Sequence, residues 1–182
     1  MPETSALPRS LVGRAAPEFT LEASGGQHVD SHHYHGRWLV LLFYPHDFTF
    51  VCPTEIIGFS ARLSEFLELN TDVLAVSTDS VYTHDAWIRT PVADGGVGDL
   101  LFPLAADVTH AMSVAYGVYD PATGSALRAL FIIDPDGVVQ YEVVHNLSVG
   151  RNVAETLRVL QGIQSGGLCP LNWRPGEPLL KV

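Results

Sequence analysis

Basic residues are scarce in this sequence, and their scarcity excludes two classes of partner. Ten lysines and arginines stand against 20 aspartates and glutamates, which gives a formal net charge of −10. Nucleic-acid binding depends on a positive surface, and adhesion to anionic membranes depends on the same charge. We therefore expect a protein that binds neither nucleic acid nor a membrane surface.

Long apolar runs are missing as well. No uninterrupted apolar stretch approaches the roughly 18 residues of a membrane span. The opening MPETSALPRSLVGRAAPEF lacks the basic segment and apolar run of a secretory signal peptide, so we expect a cytoplasmic location. Hydrophobic residues make up 47% of the 182-residue chain, which is enough for the core of one ordinary domain.

Cysteine is nearly absent, because the chain contains only Cys52 and Cys169. Two thiols are too few for a disulfide-stabilised secreted domain or a four-cysteine zinc site. The histidine-rich segment SHHYH (31–35) has poor spacing for one helix face, so we expect a solvated loop without a metal. In a reducing compartment the two cysteines are then either a redox or catalytic pair, or two unrelated core thiols.

Strands and helices alternate along the chain. Continuous apolar runs indicate buried strands, apolar residues three and four apart indicate amphipathic helices, and Asp-Pro-Asp-Gly favours a hairpin turn. We predict strands at 37–45, 72–78 and 102–107, helices at 53–70, 81–90, 109–118 and 152–163, and a hairpin at 127–145. This order predicts an α/β fold with a mixed central sheet flanked by helices. We expect one domain over 1–163 and a Gly- and Pro-rich C-terminal arm over 164–182.

The segment FYPHDFTFVCPTEI (43–56) places Cys52 between a predicted strand and a predicted helix. Pro53 suits the first helical position, which puts Cys52 at or near the N-cap and Glu55 at the third position of a capping-box pattern. Free N–H groups and the positive end of the helix dipole favour a thiolate there. The dipole alone contributes only about 0.3–2 kcal/mol, so we expect a nearby cation to add to it.

Two further residues of this segment suit a reactive thiol. Thr49 lies three residues before Cys52, and its hydroxyl can both donate to and accept from a polar oxygen substrate. Pro45 contributes shape and dryness without a competing N–H group.

These residues resemble a known family. Pro45, Thr49 and Cys52 match the peroxiredoxin pattern P-x-x-x-T-x-x-C, and DFTFVCPTEI is similar to the typical two-cysteine, alkyl hydroperoxide reductase C-like branch. The resemblance covers nearly the whole chain from about residue 10. It continues through DSVYTHDAWIRTP (79–91), GGVG (95–98), PLAADVTHAMSVAYGV (103–118), LRALFIIDPDGVV (127–139), VGRNVAETLRVL (149–160) and CPLNWRPGE (169–177).

The resemblance implies a thioredoxin-like fold and a thiol peroxidase that needs no metal, haem or flavin. Cys52 is then the peroxidatic cysteine, Arg128 its cation, and Cys169 the resolving cysteine that forms a disulfide with Cys52 of a partner subunit. Supporting positions that the family keeps around the site match Tyr44, Glu55, Trp87 and Arg151. The implied substrates are hydrogen peroxide and alkyl hydroperoxides, and the implied reductant is a thioredoxin or an AhpF-like flavoprotein. The implied assembly is a homodimer, in some members a ring of five dimers.

Two other functions stay open at this point. A thioredoxin-like disulfide oxidoreductase would want a C-x-x-C motif, which this sequence does not contain. A holdase chaperone or redox signal relay would protect client proteins even after a Cys52→Ser change.

Overall fold

A seven-stranded mixed sheet forms the centre of the computed structural model, which describes residues 10–181. The sheet strands are β1 (Thr20–Ala23), β2 (Gln27–Asp30), β3 (Trp38–Phe43), β4 (Thr71–Ser77), β5 (Leu104–Ala106), β8 (Arg128–Ile133) and β9 (Val139–His145). Their spatial order is β2-β1-β5-β4-β3-β8-β9. β4 pairs in parallel with β3 and β5, whereas the other neighbours are antiparallel. The predicted α/β fold with a mixed sheet is thereby confirmed.

Strand β3 lies in the interior of this sheet, between β4 and β8. This position explains why its sequence is continuously apolar. Val40 and Leu42 point into the core on one face of the sheet. Leu39, Leu41 and Phe43 point into a second core on the other face. Because both faces are covered, successive residues are all buried and no polar alternation is visible in the sequence.

The helices divide between the two faces. They are α1 (Cys52–Ala61), α2 (Leu63–Glu68), α3 (Val81–Arg89), α4 (Ala111–Ala115) and α5 (Val153–Gln164). Buried residues of α1, α2, α3 and α5 share the core of Val40, whereas Met112 of α4 lies in the core of Leu41. Within residues 10–181, no helix has the length and hydropathy needed to span a bilayer.

The prediction of a single helix over 53–70 is wrong. The chain forms two helices that meet at Arg62, whose φ of −112° and ψ of 15° interrupt the helical geometry. Phe59 and Phe66 nevertheless stack with ring centroids 5.9 Å apart and share one core. The periodicity of apolar residues does not reveal this break, because Leu63 and Phe66 continue the apolar spacing of α1.

The antiparallel pair β1 and β2, in which Leu21 faces Val29, is not predicted from the sequence. The turn between them contains Gly25 and Gly26, both at positive φ. Few of the strand residues are buried, because this pair lies at the edge of the sheet. Apolar alternation is therefore too weak to reveal these strands. A second small pair, β6 (Tyr119–Asp120) and β7 (Ser125–Ala126), is missed as well.

The predicted hairpin at 127–145 is confirmed as β8 and β9. Arg128 faces His145 and Ile133 faces Val139. The turn is closed by the Asp134 side chain, which accepts hydrogen bonds from the backbone N–H groups of Asp136 and Val138.

The chain after α5, within the predicted C-terminal arm, folds back on itself through a bridge between Leu168 and Leu180. Trp173 of the arm is buried, and its backbone carbonyl accepts a hydrogen bond from Arg158 of α5. The boundary between domain and arm at residues 163 and 164 stays a prediction. Residues 1–9 and 182 of those two segments lie outside the described part of the chain.

The GGVG segment packs tightly against the end of α3. A Cβ atom added to Gly96 would lie 1.9 Å from the backbone oxygen of Thr90, a distance that no relaxation of a flexible side chain can relieve. The backbone N–H of Val97 donates to the carbonyl of Trp87 at 3.2 Å. The absence of a side chain at position 96 therefore permits this close approach.

We expect Gly96→Ala to lower the free energy of unfolding by about 1–3 kcal/mol, because overpacking forces the backbone apart. Gly58→Ala in α1 is the matched control, since its Cβ would meet Val153 at an ordinary 3.7 Å. That control should gain about 0.5–1 kcal/mol, because alanine restricts the unfolded chain. Urea denaturation measures both changes, and equal effects from the two substitutions would refute the packing argument.

Candidate active site

Cys52 lies in the first turn of α1 and is completely buried. An irregular segment of residues 44–51, called the active-site loop below, connects β3 to α1. The helix begins here because Pro53 is pre-organised for a first turn, and the carbonyl of Val51 accepts the N–H groups of Thr54 and Glu55. The prediction that the thiol lies at a helix start is confirmed.

The predicted capping box is wrong. No side chain caps the N-terminus of α1, and the Glu55 carboxylate instead accepts hydrogen bonds from two buried arginines. Its oxygen Oε1 lies 2.7 Å from Nε of Arg151, and Oε2 lies 2.8 Å from Nη1 of Arg128. Two full positive charges attract the carboxylate more strongly than a neutral backbone N–H does.

Arg128 reaches the thiol because of strand pairing. β8 runs antiparallel to β3 and places Ala129 opposite Phe43, so the start of β8 lies beside the end of β3. From there Nη1 of Arg128 lies 3.2 Å from Sγ of Cys52, while Nε donates to the carbonyl of Leu147 at 2.6 Å. The cation that the thiol was expected to need is therefore in direct contact with the sulfur.

Arg151 connects the strand ends to the Glu55 carboxylate. Its Nη1 donates to the carbonyls of Phe43 and Ala129, which end one strand and begin the other. Its backbone N–H and its Nε both donate to Oε1 of Glu55 at 2.7 Å. Arg151 thus ties β3, β8 and α1 together at one point.

Glu55 is ionised within this cluster. Burial by itself would raise the pKa of the Glu55 carboxyl, but the hydrogen bonds and charge of Arg151, with the charge of Arg128, hold that pKa below its ordinary value. Two arginines against one carboxylate leave one excess positive charge next to the sulfur of Cys52.

The aromatic residues form a second buried cluster beside the thiol. The rings of Tyr44 and Trp87 stack with centroids 6.0 Å apart, and Nε1 of Trp87 donates to the carbonyl of Gly95 at 3.0 Å. Burial, followed by the charge of Asp47, holds the pKa of the Tyr44 phenol well above its ordinary value. The phenol is therefore a hydrogen-bond donor, and it donates to Asp47 at 2.8 Å.

Asp47 and His84 also belong to this cluster and are not predicted from the sequence. Nδ1 of His84 lies 2.7 Å from Oδ2 of Asp47, and both side chains are fully buried. The available signal is that His84 precedes Trp87 by three residues on a helix, so both belong to one face. That spacing does not reveal Asp47, because contact across 37 positions depends on the fold.

Pro45, Phe48 and Thr49 belong to the active-site loop. Pro45 is buried, and Thr49 is half-buried with its hydroxyl donating to the carbonyl of His46 at 2.9 Å. Phe48 adopts a positive φ of 52°, and its ring lies against Trp87. The loop thus turns sharply between Pro45 and Thr49 before it enters α1.

Cys169 lies elsewhere, against α5 and within the arm. Its Sγ is 3.6 Å from the carbonyl oxygen of Gly162 and 3.7 Å from the hydroxyl of Ser165. Cys169 and Cys52 are both free thiols. The structure therefore assembles Cys52, Glu55, Arg128 and Arg151 and leaves the second sulfur apart from them.

The histidine-rich segment at 31–35 forms a 3-10 turn with its three imidazoles exposed. Across residues 10–181, no three His, Cys, Asp or Glu side chains cluster closely enough to hold a metal ion.

Comparison with known proteins decides the family. The AhpC/TSA family profile matches residues 12–142. The chain is 52% identical over 172 residues to a peroxiredoxin in the rubredoxin operon of Clostridium pasteurianum, covering 92% of this chain and 97% of that protein. The chain belongs to the AhpC/TSA family of peroxiredoxins.

Two further comparisons agree with this assignment. The chloroplastic 2-Cys peroxiredoxin BAS1 of Hordeum vulgare is 49% identical over 94% of this chain and 85% of its own length. The crystal structure of reduced Plasmodium vivax 2-Cys peroxiredoxin superposes with a TM-score of 0.91 at 41% identity, covering 95% of this chain and 94% of that one. The peroxiredoxin therefore has the thioredoxin-like fold and is a thiol-dependent peroxidase.

We expect Glu55→Gln to destabilise this peroxiredoxin by about 3–5 kcal/mol at neutral pH, because two buried arginines lose their anion. Glu55 has a lowered pKa when folded, so its contribution is complete above about pH 4.5 and is lost as the pH falls through the lower folded value. Urea denaturation at decreasing pH should therefore show the gap between wild type and variant narrowing.

The matched control for that measurement is Glu155→Gln, which breaks a solvent-exposed pair with Arg158. It should change stability little, because water screens exposed ion pairs. An equally small loss for Glu55→Gln, or a gap that widens in acid, would contradict the role of the buried carboxylate.

Proposed function

We propose that Cys52 is the peroxidatic cysteine and that Arg128 is the cation that activates it. The contact of 3.2 Å between Nη1 of Arg128 and Sγ of Cys52 carries this proposal. A guanidinium is always charged and presents several N–H donors, so it can hold a thiolate and a peroxide oxygen at once. Glu55 and Arg151 support this pair by fixing its position, and Tyr44 and Trp87 support it by packing in the same core.

The first step is the attack of the Cys52 thiolate on one oxygen of a hydroperoxide. A sulfur–oxygen bond forms, the O–O bond breaks, and the leaving oxygen takes a proton to depart as water or an alcohol. Sulfur is oxidised to sulfenic acid while the peroxide is reduced. Arg128 and the Thr49 hydroxyl stabilise the charge that develops on the leaving oxygen, and Pro45 keeps this side of the site dry.

The second step joins Cys52 to Cys169 of a partner subunit. The Cys169 sulfur attacks the sulfenic sulfur, a disulfide forms, and water leaves. Bonded sulfurs are about 2 Å apart, so the fully buried Cys52 must leave its pocket. The first turn of α1 therefore unwinds, and the arm that holds Cys169 separates from α5. A dithiol reductant then restores both thiols by exchange.

The same proposal extends to substrates, partners and location. Hydrogen peroxide and alkyl hydroperoxides are the substrates, and a thioredoxin or an AhpF-like flavoprotein is the reductant. The subunits form a homodimer, and a ring of five dimers is the proposed larger assembly. We propose the cytoplasm as the location, because a reducing compartment keeps both cysteines available. Membership of the peroxiredoxin family supports the peroxide substrates and a thioredoxin-type reductant.

Substitution of each cysteine tests the two steps separately. Cys52→Ser should abolish peroxide consumption, because no thiolate remains to attack. Cys169→Ser should consume one peroxide per subunit and then stop when thioredoxin is the reductant. Stopped-flow peroxide consumption and non-reducing electrophoresis measure both results, with a disulfide-linked dimer expected in wild type alone. Undiminished turnover by Cys52→Ser would refute the proposal.

Arg128→Lys tests the activating cation. Lysine keeps the charge but loses the planar fork that contacts the sulfur, Glu55 and the Leu147 carbonyl together. We expect the second-order rate with hydrogen peroxide to fall about 100- to 1,000-fold. Arg37→Lys is the matched control, because Arg37 pairs with Asp72 at the far end of β4. Rates within twofold of wild type for both variants would refute the assignment of Arg128 as the activating cation.

A further inference from the structure

The buried pair of Asp47 and His84 has no part in the chemistry described above. His84 presents both ring nitrogens to acceptors, since Nδ1 faces Asp47 at 2.7 Å and Nε2 faces the carbonyl of Ala105 at 3.2 Å. One imidazole ring thereby bridges the Asp47 carboxyl group and a backbone carbonyl of β5. The Asp47 carboxylate also accepts the Tyr44 hydroxyl.

A buried polar pair is weak evidence for stability. Removing polar groups from water is costly, and apolar residues of similar volume often stabilise a protein as well or better. Such a pair can instead define one arrangement of the groups that it joins. The question is therefore which parts of the molecule this pair holds together.

Asp47 lies at the middle of the active-site loop, and His84 lies on the buried face of α3. Through Ala105, His84 also contacts β5. The backbone N–H of Asp47 donates to Asp79 at 3.0 Å, and Asp79 in turn accepts from the hydroxyl of Ser77 at the end of β4. The centre of the loop is thereby bonded to α3, β4 and β5.

The thiol is held by different contacts. Cys52 and Arg128 depend on α1, β8 and the Glu55 carboxylate, none of which bonds to Asp47 or His84. The site therefore consists of two separately anchored halves. One half carries the sulfur and its cation, and the other carries Pro45 and Thr49 on the loop.

We propose that His84, through Asp47, is a positioning residue for the active-site loop: it holds the peroxide-contacting half of the site in register with the thiol. This inference rests on the proposed roles of Pro45 and Thr49. It assigns His84 to the binding and orientation of the peroxide and not to the reactivity of the thiol. Misplacement of a positioned group by about 1 Å can cost as much as 100-fold in rate.

The experiment compares two reactions of the same sulfur. His84→Gln, Asp47→Asn and their double variant are made in the Cys169→Ser background, so that only Cys52 reacts. Single-turnover reaction with hydrogen peroxide reports the whole site, whereas alkylation by iodoacetamide at neutral pH reports the thiolate alone. We expect the peroxide rate to fall about 10- to 100-fold and alkylation to stay within twofold. The double variant should lose no more than either single one, because the pair acts as a unit.

Two tyrosine substitutions keep the test informative if His84→Gln does not fold. Tyr44→Phe removes one donor to Asp47 and should lower the peroxide rate in the same direction by a smaller factor. Tyr116→Phe is its matched control, since that hydroxyl donates to the Pro17 carbonyl and its ring lies in the core on the other face of the sheet. Tyr116→Phe should leave both rates unchanged.

Several results would overturn the inference. An unchanged peroxide rate in folded His84→Gln, or in Tyr44→Phe, would show that the pair is merely structural. A parallel fall of both rates would show that it acts on the thiol and not on the loop. Failure of the parent Cys169→Ser protein to react with peroxide would instead refute the proposed function, so the two failures are distinguishable.

Discussion

Two buried guanidinium groups share one carboxylate in this peroxiredoxin, and the rest of the site depends on that arrangement. Glu55 lies in the first turn of α1, Arg128 begins β8, and Arg151 precedes α5. A carboxylate buried without such partners would be protonated or would unfold its surroundings. Because the partners are present, Glu55 stays ionised and the cluster retains a net positive charge beside Cys52.

The sheet makes this cluster possible. Arg128 follows Cys52 by 76 positions, yet the antiparallel pairing of β8 with β3 brings its guanidinium within 3.2 Å of the sulfur. Arg151 donates to the carbonyls of Phe43 and Ala129, which face each other where the same two strands pair. The hydrogen bonds of Arg151 and Arg128 therefore stabilise the strand ends and also position the groups around Cys52. A change that breaks them disturbs both the fold and the site.

The proposed mechanism requires the site to come apart during the catalytic cycle. Cys52 is fully buried and Cys169 is held against α5, so under that mechanism the two sulfurs meet only after local unwinding. The strongest contacts lie on the strands and on the arginines, whereas the first turn of α1 has no capping side chain. Under the proposed mechanism, a helix start without a capping side chain lets the sulfur move while Arg128 stays bonded to Glu55 and the Leu147 carbonyl.

Much of this was determined by the sequence itself. The apolar run of β3, the hairpin turn at Asp134 and the position of Cys52 before Pro53 all follow from local patterns, because periodicity and turn chemistry act over a few residues. The pairings of Glu55 with Arg151 and of Asp47 with His84 do not, since 96 and 37 positions separate the partners. Local patterns also misassigned Glu55 to a cap and merged α1 with α2. Only the tertiary structure decides such matters, because a buried charge takes whichever opposite charge the strand order brings to it.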